Sequence, residues 1–229
     1  MQTDDFILVN GHKHIFYNQE EVSEKEMLQR SEDYFNRCNK RRSVRDFSDK
    51  EIPIEVIENI VKSASTAPSG ANKQPWTFCV VKSSEIKKKI RLAAEEEERK
   101  SYAERMSEEW LDDLKHIGTD ANKPFLETAP YLIIVFKRPY EIDVEGKKHP
   151  NYYVNESVGL ACGFLISAIH NAGLVTLTHT PSPMRFLEQI LERPSNERAF
   201  LLLPVGYKAA KTYVPAIERK PLDEVMELY

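Results

Sequence analysis

Four short stretches of this 229-residue chain concentrate the side chains that can do chemistry. KRRSVRDF, Lys40 to Phe47, sets Lys40, Arg41, Arg42 and Arg45 around Ser43. Planar guanidinium forks and a hydroxyl donor suit a phosphate or another anion. The plainer reading is a solvated basic helix end, favoured by the helix dipole. APSGANKQPW, Ala67 to Trp76, forces a turn in which Gly70 permits close backbone approach. Asn72 and Gln74 there offer amides that can read the edge of a polar heterocycle, or the stretch simply joins a helix to a strand.

EEEERKSYAE, Glu95 to Glu104, places Glu98 and Tyr102 four residues apart, so a helix carries a carboxylate and a phenol on one face. The competing reading is a solvated helix laced by the pairs Glu95–Arg99 and Glu96–Lys100. LVTLTHTPSP, Leu174 to Pro183, reads as a strand whose hydroxyls at Thr176, Thr178 and Thr180 share one face while His179 points the other way. Threonine is also an ordinary strand former. His179 has no acidic neighbour in sequence and is not assigned as a base.

Neither GxGxxG nor GxxxxGK[ST] occurs, so dinucleotide and triphosphate loops are excluded. A net charge of -4 and mixed surface charges argue against nucleic acid as the main partner. The three cysteines, Cys38, Cys79 and Cys162, lack metal-ligand spacing and read as reduced, partly buried thiols of a reducing compartment. The N-terminus carries acids where a signal peptide has bases. The uncharged stretch from Ser157 to Met184 is broken by His170, Asn171 and Gly173, which fits a buried helix and strand and no membrane span. The expectation is a soluble, cytoplasmic protein with no membrane or metal partner.

The elements that must position these residues follow from periodicity. Helices are expected over 19–40, from Pro53 to Ala64, over 84–115 with a break near Ser101 or Ser107, over 154–172, over 184–192 and over 222–228. Strands are expected over 76–82, 131–136, 174–180 and 199–205, and 137–152 reads as loop. YLIIVF, Tyr131 to Phe136, is a continuous apolar run suited to burial on both faces. The sum is one layered domain over 1–229, with 1–18 as an extension.

The order RRSVR, APSGANKQPW, EEEERKSY, TAPYLIIVF, VTLTHTP, LLLPVGY and ERKPLDEV resembles the iodotyrosine deiodinases of the nitroreductase superfamily from about Glu20 onward. The resemblance implies an α+β nitroreductase-like fold, a central mixed sheet flanked by helices, in an intertwined homodimer whose C-terminal extension reaches onto the partner. It implies FMN as cofactor, with Arg41, Arg42, Ser43, Arg45 and Arg219 on its phosphate and ribityl chain. Pro68, Ser69 and Gly70 then lie near the ring, supplied by the partner subunit. The Thr178, His179, Thr180 segment lies at the flavin, with Thr180, or else Thr178, donating to its N5.

Glu98, Tyr102 and Lys123 then hold the zwitterion of a halogenated tyrosine, and the Ala71 N–H meets its phenolate. The implied activity is reductive dehalogenation, 3-iodotyrosine giving tyrosine and iodide, with electrons from an external reductant such as NADPH acting through a reductase. Two alternatives stay open: an NAD(P)H-dependent FMN nitroreductase or quinone reductase, and a flavin-binding module without catalysis. The chain departs from the family in having His179 between the two threonines and in being one residue shorter soon after Pro181. Animal members begin with a membrane anchor, which this N-terminus does not resemble.

Overall fold

A computed structural model of the chain describes residues 6–229. These form two compact units, one ending at Lys40 and one beginning at Arg41. In the first, β1 (Phe6–Val9) and β2 (His12–Ile15) pair antiparallel. They are joined by Asn10 and Gly11, whose φ of 49° and 78° make the tight turn that Asn-Gly favours. This hairpin signal lies in the extension that the sequence reading left without structure. The following helix, α1 (Glu24–Asn39), starts later than the expected residue 19. Ser23 caps it by accepting the Glu26 N–H at 3.3 Å, and a capping serine with glutamate three residues on sets the boundary.

The second unit contains α2 (Ile54–Ser65), β3 (Trp76–Val81), α3 (Ser84–Lys100), α4 (Glu108–Lys115), α5 (Phe125–Thr128) and β4 (Tyr131–Lys137). It continues through β5 (Tyr140–Ile142), β6 (Lys148–Pro150), α6 (Val154–Asn171), β7 (Val175–Thr176), α7 (Arg185–Ile190) and β8 (Arg198–Gly206). The main sheet runs β3-β4-β8-β7 with antiparallel ladders. A parallel bridge from Ser43 to Thr176 makes it mixed, so the expected α+β arrangement of a mixed sheet flanked by helices is present.

The apolar run in β4 explains the layering. Successive strand side chains point to opposite faces. Tyr131, Ile133 and Val135 therefore enter one core with Ile57 and Ile60 of α2 and Leu165 and Ile169 of α6. Leu132, Ile134 and Phe136 enter the other, against Ile90 and Ala94 of α3, Phe125 and Leu126 of α5 and Leu187 of α7. The long helix expected over 84–115 breaks as anticipated: α3 ends in a single π-helical turn, Ser101–Arg105, and Ser107 caps α4 through the Trp110 N–H.

Three expectations are corrected. Residues 137–152 contain the β5–β6 hairpin, because the Asp143 carboxylate gathers the N–H groups of Glu145 and Lys147 and Gly146 takes a φ of 81°. The strand expected over 174–180 ends at Thr176; beyond it only His179 bridges to Leu202 of β8. The helix expected over 222–228 is a single 3₁₀ turn, Leu222–Glu224. Its apolar residues Leu222, Val225, Met226 and Leu228 are all exposed in the single chain, and so short a helix needs a packing surface.

Lys87 shows how the second core closes. This buried lysine of α3 donates from Nζ to the carbonyls of Glu127 and Ala129, both at 2.8 Å, stitching α3 to the end of α5. Lys87→Met keeps the apolar stem and strands both acceptors. It is expected to cost about 1–3 kcal/mol in urea unfolding, the usual penalty of unsatisfied buried polar groups; an unchanged midpoint would show that the carbonyls are satisfied without it.

Candidate active site

Where α3 ends, its inner face turns towards the loop before α5. Glu98 sits on the last turn of α3 and Tyr102 on the π turn after it. Lys123 lies in the link to α5, beside Pro124, which starts that helix. The three, widely spaced in sequence, line one cavity of about 240 Å³ with Arg45, Thr178, His179 and Thr180. Its apolar wall includes Trp110, Leu114 and Phe125. The structure thus gathers the Glu98, Tyr102 and Lys123 set and both candidate threonines into one place.

The electrostatics are those of two opposite charges held out of water. Lys123 Nζ lies 3.5 Å from Glu98 Oε2, with side-chain exposures of 4% and 12%. Burial pushes the Glu98 carboxyl above the ordinary carboxylate range, and the Lys123 ammonium draws it back. Burial likewise pulls the Lys123 ammonium down, with Glu98 opposing. Lys123 Nζ also donates to Thr119 Oγ1 at 3.0 Å and to the Asp120 carbonyl. The Tyr102 hydroxyl donates to the Thr119 carbonyl at 3.3 Å, and burial raises its pKa.

His179 is the partner that spacing concealed. Its Nδ1 stands 3.9 Å from Glu98 Oε1, so α3 supplies the acid missing from its sequence neighbourhood. Burial, reinforced by Lys123 and Arg45, pushes the imidazole down to about 3. It is therefore neutral, and the 3.9 Å approach is a contact and no ion pair. Its ring meets Phe125 edge-on at 5.9 Å between centroids, and Nε2 is buried without a hydrogen-bond partner. Thr178 and Thr180 are exposed and His179 buried, as the alternation requires. Thr176 departs from it: it is buried, because it lies in β7, before the segment leaves the sheet.

A second cavity, of about 330 Å³, is lined by Arg41, Arg42, Ser43, Arg45 and Arg219, with Ile117, Pro215, Ile217 and Glu218. All five residues expected at a phosphate meet there. The segment is not a helix end: only Lys40 caps α1, and Ser43 and Phe47 make isolated strand bridges. Extended backbone buries Val44 and leaves Ser43 and Arg45 on the other side. Arg42 donates to the Pro215 carbonyl, and Arg219 Nη2 donates to the Arg41 carbonyl at 3.0 Å. Arg45 lines both cavities.

The remaining candidates, Pro68, Ser69, Gly70 and Ala71, line neither cavity. Gly70 lies at the start of α6, where its N–H donates to Ser157 Oγ at 3.3 Å. A Cβ on Gly70 would stand 3.0 Å from the Tyr152 carbonyl oxygen, tight enough that this backbone would have to give way. Ala71, Asn72 and Gln74 all adopt positive φ, between 47° and 53°. Such strain in non-glycine residues gathers at functional sites.

Sequence reasoning missed Glu95. In place of the solvated pair with Arg99, its buried carboxylate accepts the Lys123 backbone N–H at 2.8 Å and Arg91 Nη1 at 3.4 Å. The second pair of that reading, Glu96 with Lys100 at 2.7 Å, is present. Ser157 and Trp110 were also missed; only tertiary contact reveals them. The cysteines are free, and burial pushes the Cys162 thiol up to about 12. Among the described residues no helix is long and apolar enough to cross a membrane.

Residues 39–207 match the nitroreductase family. The chain is 61% identical over 204 residues to an iodotyrosine deiodinase of Haliscomenobacter hydrossis, covering 89% of this chain and 92% of that one. It is 46% identical to human iodotyrosine deiodinase 1 over 217 residues, 93% of this chain and 74% of the human one. A crystal structure of oxidized iodotyrosine deiodinase bound to FMN and 3-iodo-L-tyrosine superposes with a TM-score of 0.71 at 34% identity, over 86% of this chain and 98% of that one. A nitroreductase with bound FMN from Bacteroides fragilis superposes at 0.63 over 86% and 98% of the two chains, and at 18% identity shares the fold alone. The chain belongs to the nitroreductase family and, within it, to the iodotyrosine deiodinases.

Proposed function

We propose that this chain is an FMN-dependent oxidoreductase that dehalogenates halotyrosines reductively, converting 3-iodotyrosine to tyrosine and iodide. The observation that carries this reading is the buried Glu98–Lys123 pair, with Tyr102 beside it, in a cavity that shares Arg45 with the basic one. The donor set of the basic cavity fits FMN: several arginine forks and a hydroxyl suit a dianionic phosphate. Arg41, Arg42, Ser43, Arg45 and Arg219 hold that end of the cofactor. When bound, FMN supplies two electrons which, with one proton, replace iodine by hydrogen and release iodide.

The chain's own residues orient the substrate. Glu98 takes its ammonium, while Lys123 and Tyr102 take its carboxylate. In the substrate-free chain Glu98 and Lys123 neutralise each other, so a zwitterion satisfies both charges as they part. A ligand with one charge would strand the other in a low-dielectric site, which is costly. The Ala71 N–H would donate to the phenolate, and the Thr180 hydroxyl, or that of Thr178, would donate to the flavin ring at N5. A homodimer reconciles these roles with a turn that lines neither cavity in one chain: each subunit's Gly70 turn completes its partner's site. The exposed Leu160 and Phe164 of α6 and the exposed apolar tail supply a surface for that contact.

Three outcomes test this reading. Arg45→Ala is expected to weaken FMN binding by about 1.5–3 kcal/mol, the worth of a charge-assisted hydrogen bond. Unchanged cofactor uptake in a flavin titration would remove Arg45 from the site.

The second concerns pH. Glu98 must be ionised to hold an ammonium, and its pKa is raised, so protonation as pH falls removes the clamp earlier than for an exposed glutamate. The ratio of 3-iodotyrosine to 2-iodophenol affinity cancels phenol ionisation and should fall on the acid side. In Glu98→Gln the ratio should lose this acid limb and start lower by about 2 kcal/mol, the low end for truncating a buried charge pair. A flat ratio in the unmutated protein would dismiss the clamp.

The third separates dehalogenation from nitroreduction. Thr180→Ala removes one neutral hydrogen bond, about 0.5–1.5 kcal/mol, and should slow dehalogenation up to roughly tenfold while nitro-group reduction is spared. Equal loss of both activities would favour the general nitroreductase reading, and an effect confined to Thr178→Ala would move the role there.

A further inference from the structure

Glu98 and Glu95 lie three residues apart on α3 and so share its inner face. They act on one residue from two directions. Glu98 meets the Lys123 side chain, whereas Glu95 Oε1 accepts the Lys123 backbone N–H at 2.8 Å. Glu95 is 6% exposed. It is steadied by Arg91 Nη1 at 3.4 Å, and Arg91 Nε in turn donates to Glu127 of α5. On its other side the Lys123 carbonyl accepts the Leu126 N–H at 3.0 Å, in the first turn of α5. The peptide groups on both sides of Lys123 are therefore fixed, one by a carboxylate and one by a helix start. A lysine side chain is long and flexible, so the acceptors at its tip, Thr119 Oγ1 and the Asp120 carbonyl, hold the ammonium at one place only when its root is fixed as well.

We propose that Glu95 is a positioning residue for substrate recognition: by holding the Lys123 N–H it places the ammonium where the substrate carboxylate arrives. It touches no substrate itself. The proposal rests on the zwitterion clamp described above. It deepens that reading by assigning the clamp a hidden support one turn back along α3.

The geometry separates this role from a general structural one. A loss of positioning should affect ligands that have a carboxylate and spare those that lack one. The test uses the FMN-loaded protein and two probes, 3-iodotyrosine and 2-iodophenol, followed by quenching of flavin fluorescence. Glu95→Ala is expected to weaken 3-iodotyrosine about tenfold, as loss of the acceptor of a buried N–H implies. Binding of 2-iodophenol and FMN occupancy should not change. KM for iodotyrosine should rise with kcat little altered.

Glu95→Gln keeps an acceptor for the Lys123 N–H and should restore most of the affinity. Should Glu95→Ala fail to fold, Glu95→Asp serves. It keeps the charge beside Arg91 but withdraws the carboxylate by one methylene, and the same selective loss is expected. Unchanged iodotyrosine affinity in these variants, or parallel loss for both probes, overturns the proposal. If the unmutated protein binds the two probes alike, the clamp itself fails, and the fault then lies with the functional reading and not with Glu95.

Discussion

β4 is the constraint on which the second unit depends. Tyr131 to Phe136 are buried on both faces, and their alternation supplies two cores at once. A strand in that position cannot slip by one residue without exchanging every side chain between the two cores. Its register against β3 and β8 is fixed in consequence. Through β3 and β8 the strand also fixes where α2 and α6 lie on one side and α3, α5 and α7 on the other. The cavity that gathers Glu98, Tyr102 and Lys123 lies on the second side, where α3 ends and α5 begins.

At that junction the protein accepts an electrostatic cost. Two opposite charges are buried, each pushed toward neutrality by desolvation and drawn back by the other. Nearby, a neutral histidine is buried with one nitrogen lacking a partner. An apolar replacement of such a pair is often no less stable, so the arrangement is better understood as function than as scaffold. The strained Gly70 turn has the same character, because three left-handed non-glycine residues within four positions are held only by their surroundings.

How much of this could be read from the residues depends on the range of the interactions. The strands β3, β4 and β8 were legible because their apolar runs need no distant information, and Glu98, Tyr102 and Lys123, which share one cavity, were singled out through the family resemblance of whole motifs. The hairpin over 140–150 was hidden because Asp143, one carboxylate gathering two N–H groups, did the work of a turn motif. The tail helix was over-read because amphipathic spacing says nothing about whether a surface is there to receive it. Glu95 was misassigned for a sharper reason: helical spacing offers it Arg91 and Arg99 alike, and only the fold brings Lys123 into reach. The contact of His179 with Glu98 of α3, 81 positions away in the chain, was hidden for the same reason.

The basic cavity joins residues 41–45 to residues 215–219, and Arg42 donates to the Pro215 carbonyl across 173 positions. Such a long closure carries an entropic cost that local elements never meet. It also gives the cavity a place in the order of biosynthesis. The first arginines emerge from the ribosome well before the segment that completes their ring, so a nascent chain can hold a finished sheet while lacking a closed anion cradle. Closure of that cradle is then a late event, reserved for chains whose translation has already passed Arg219.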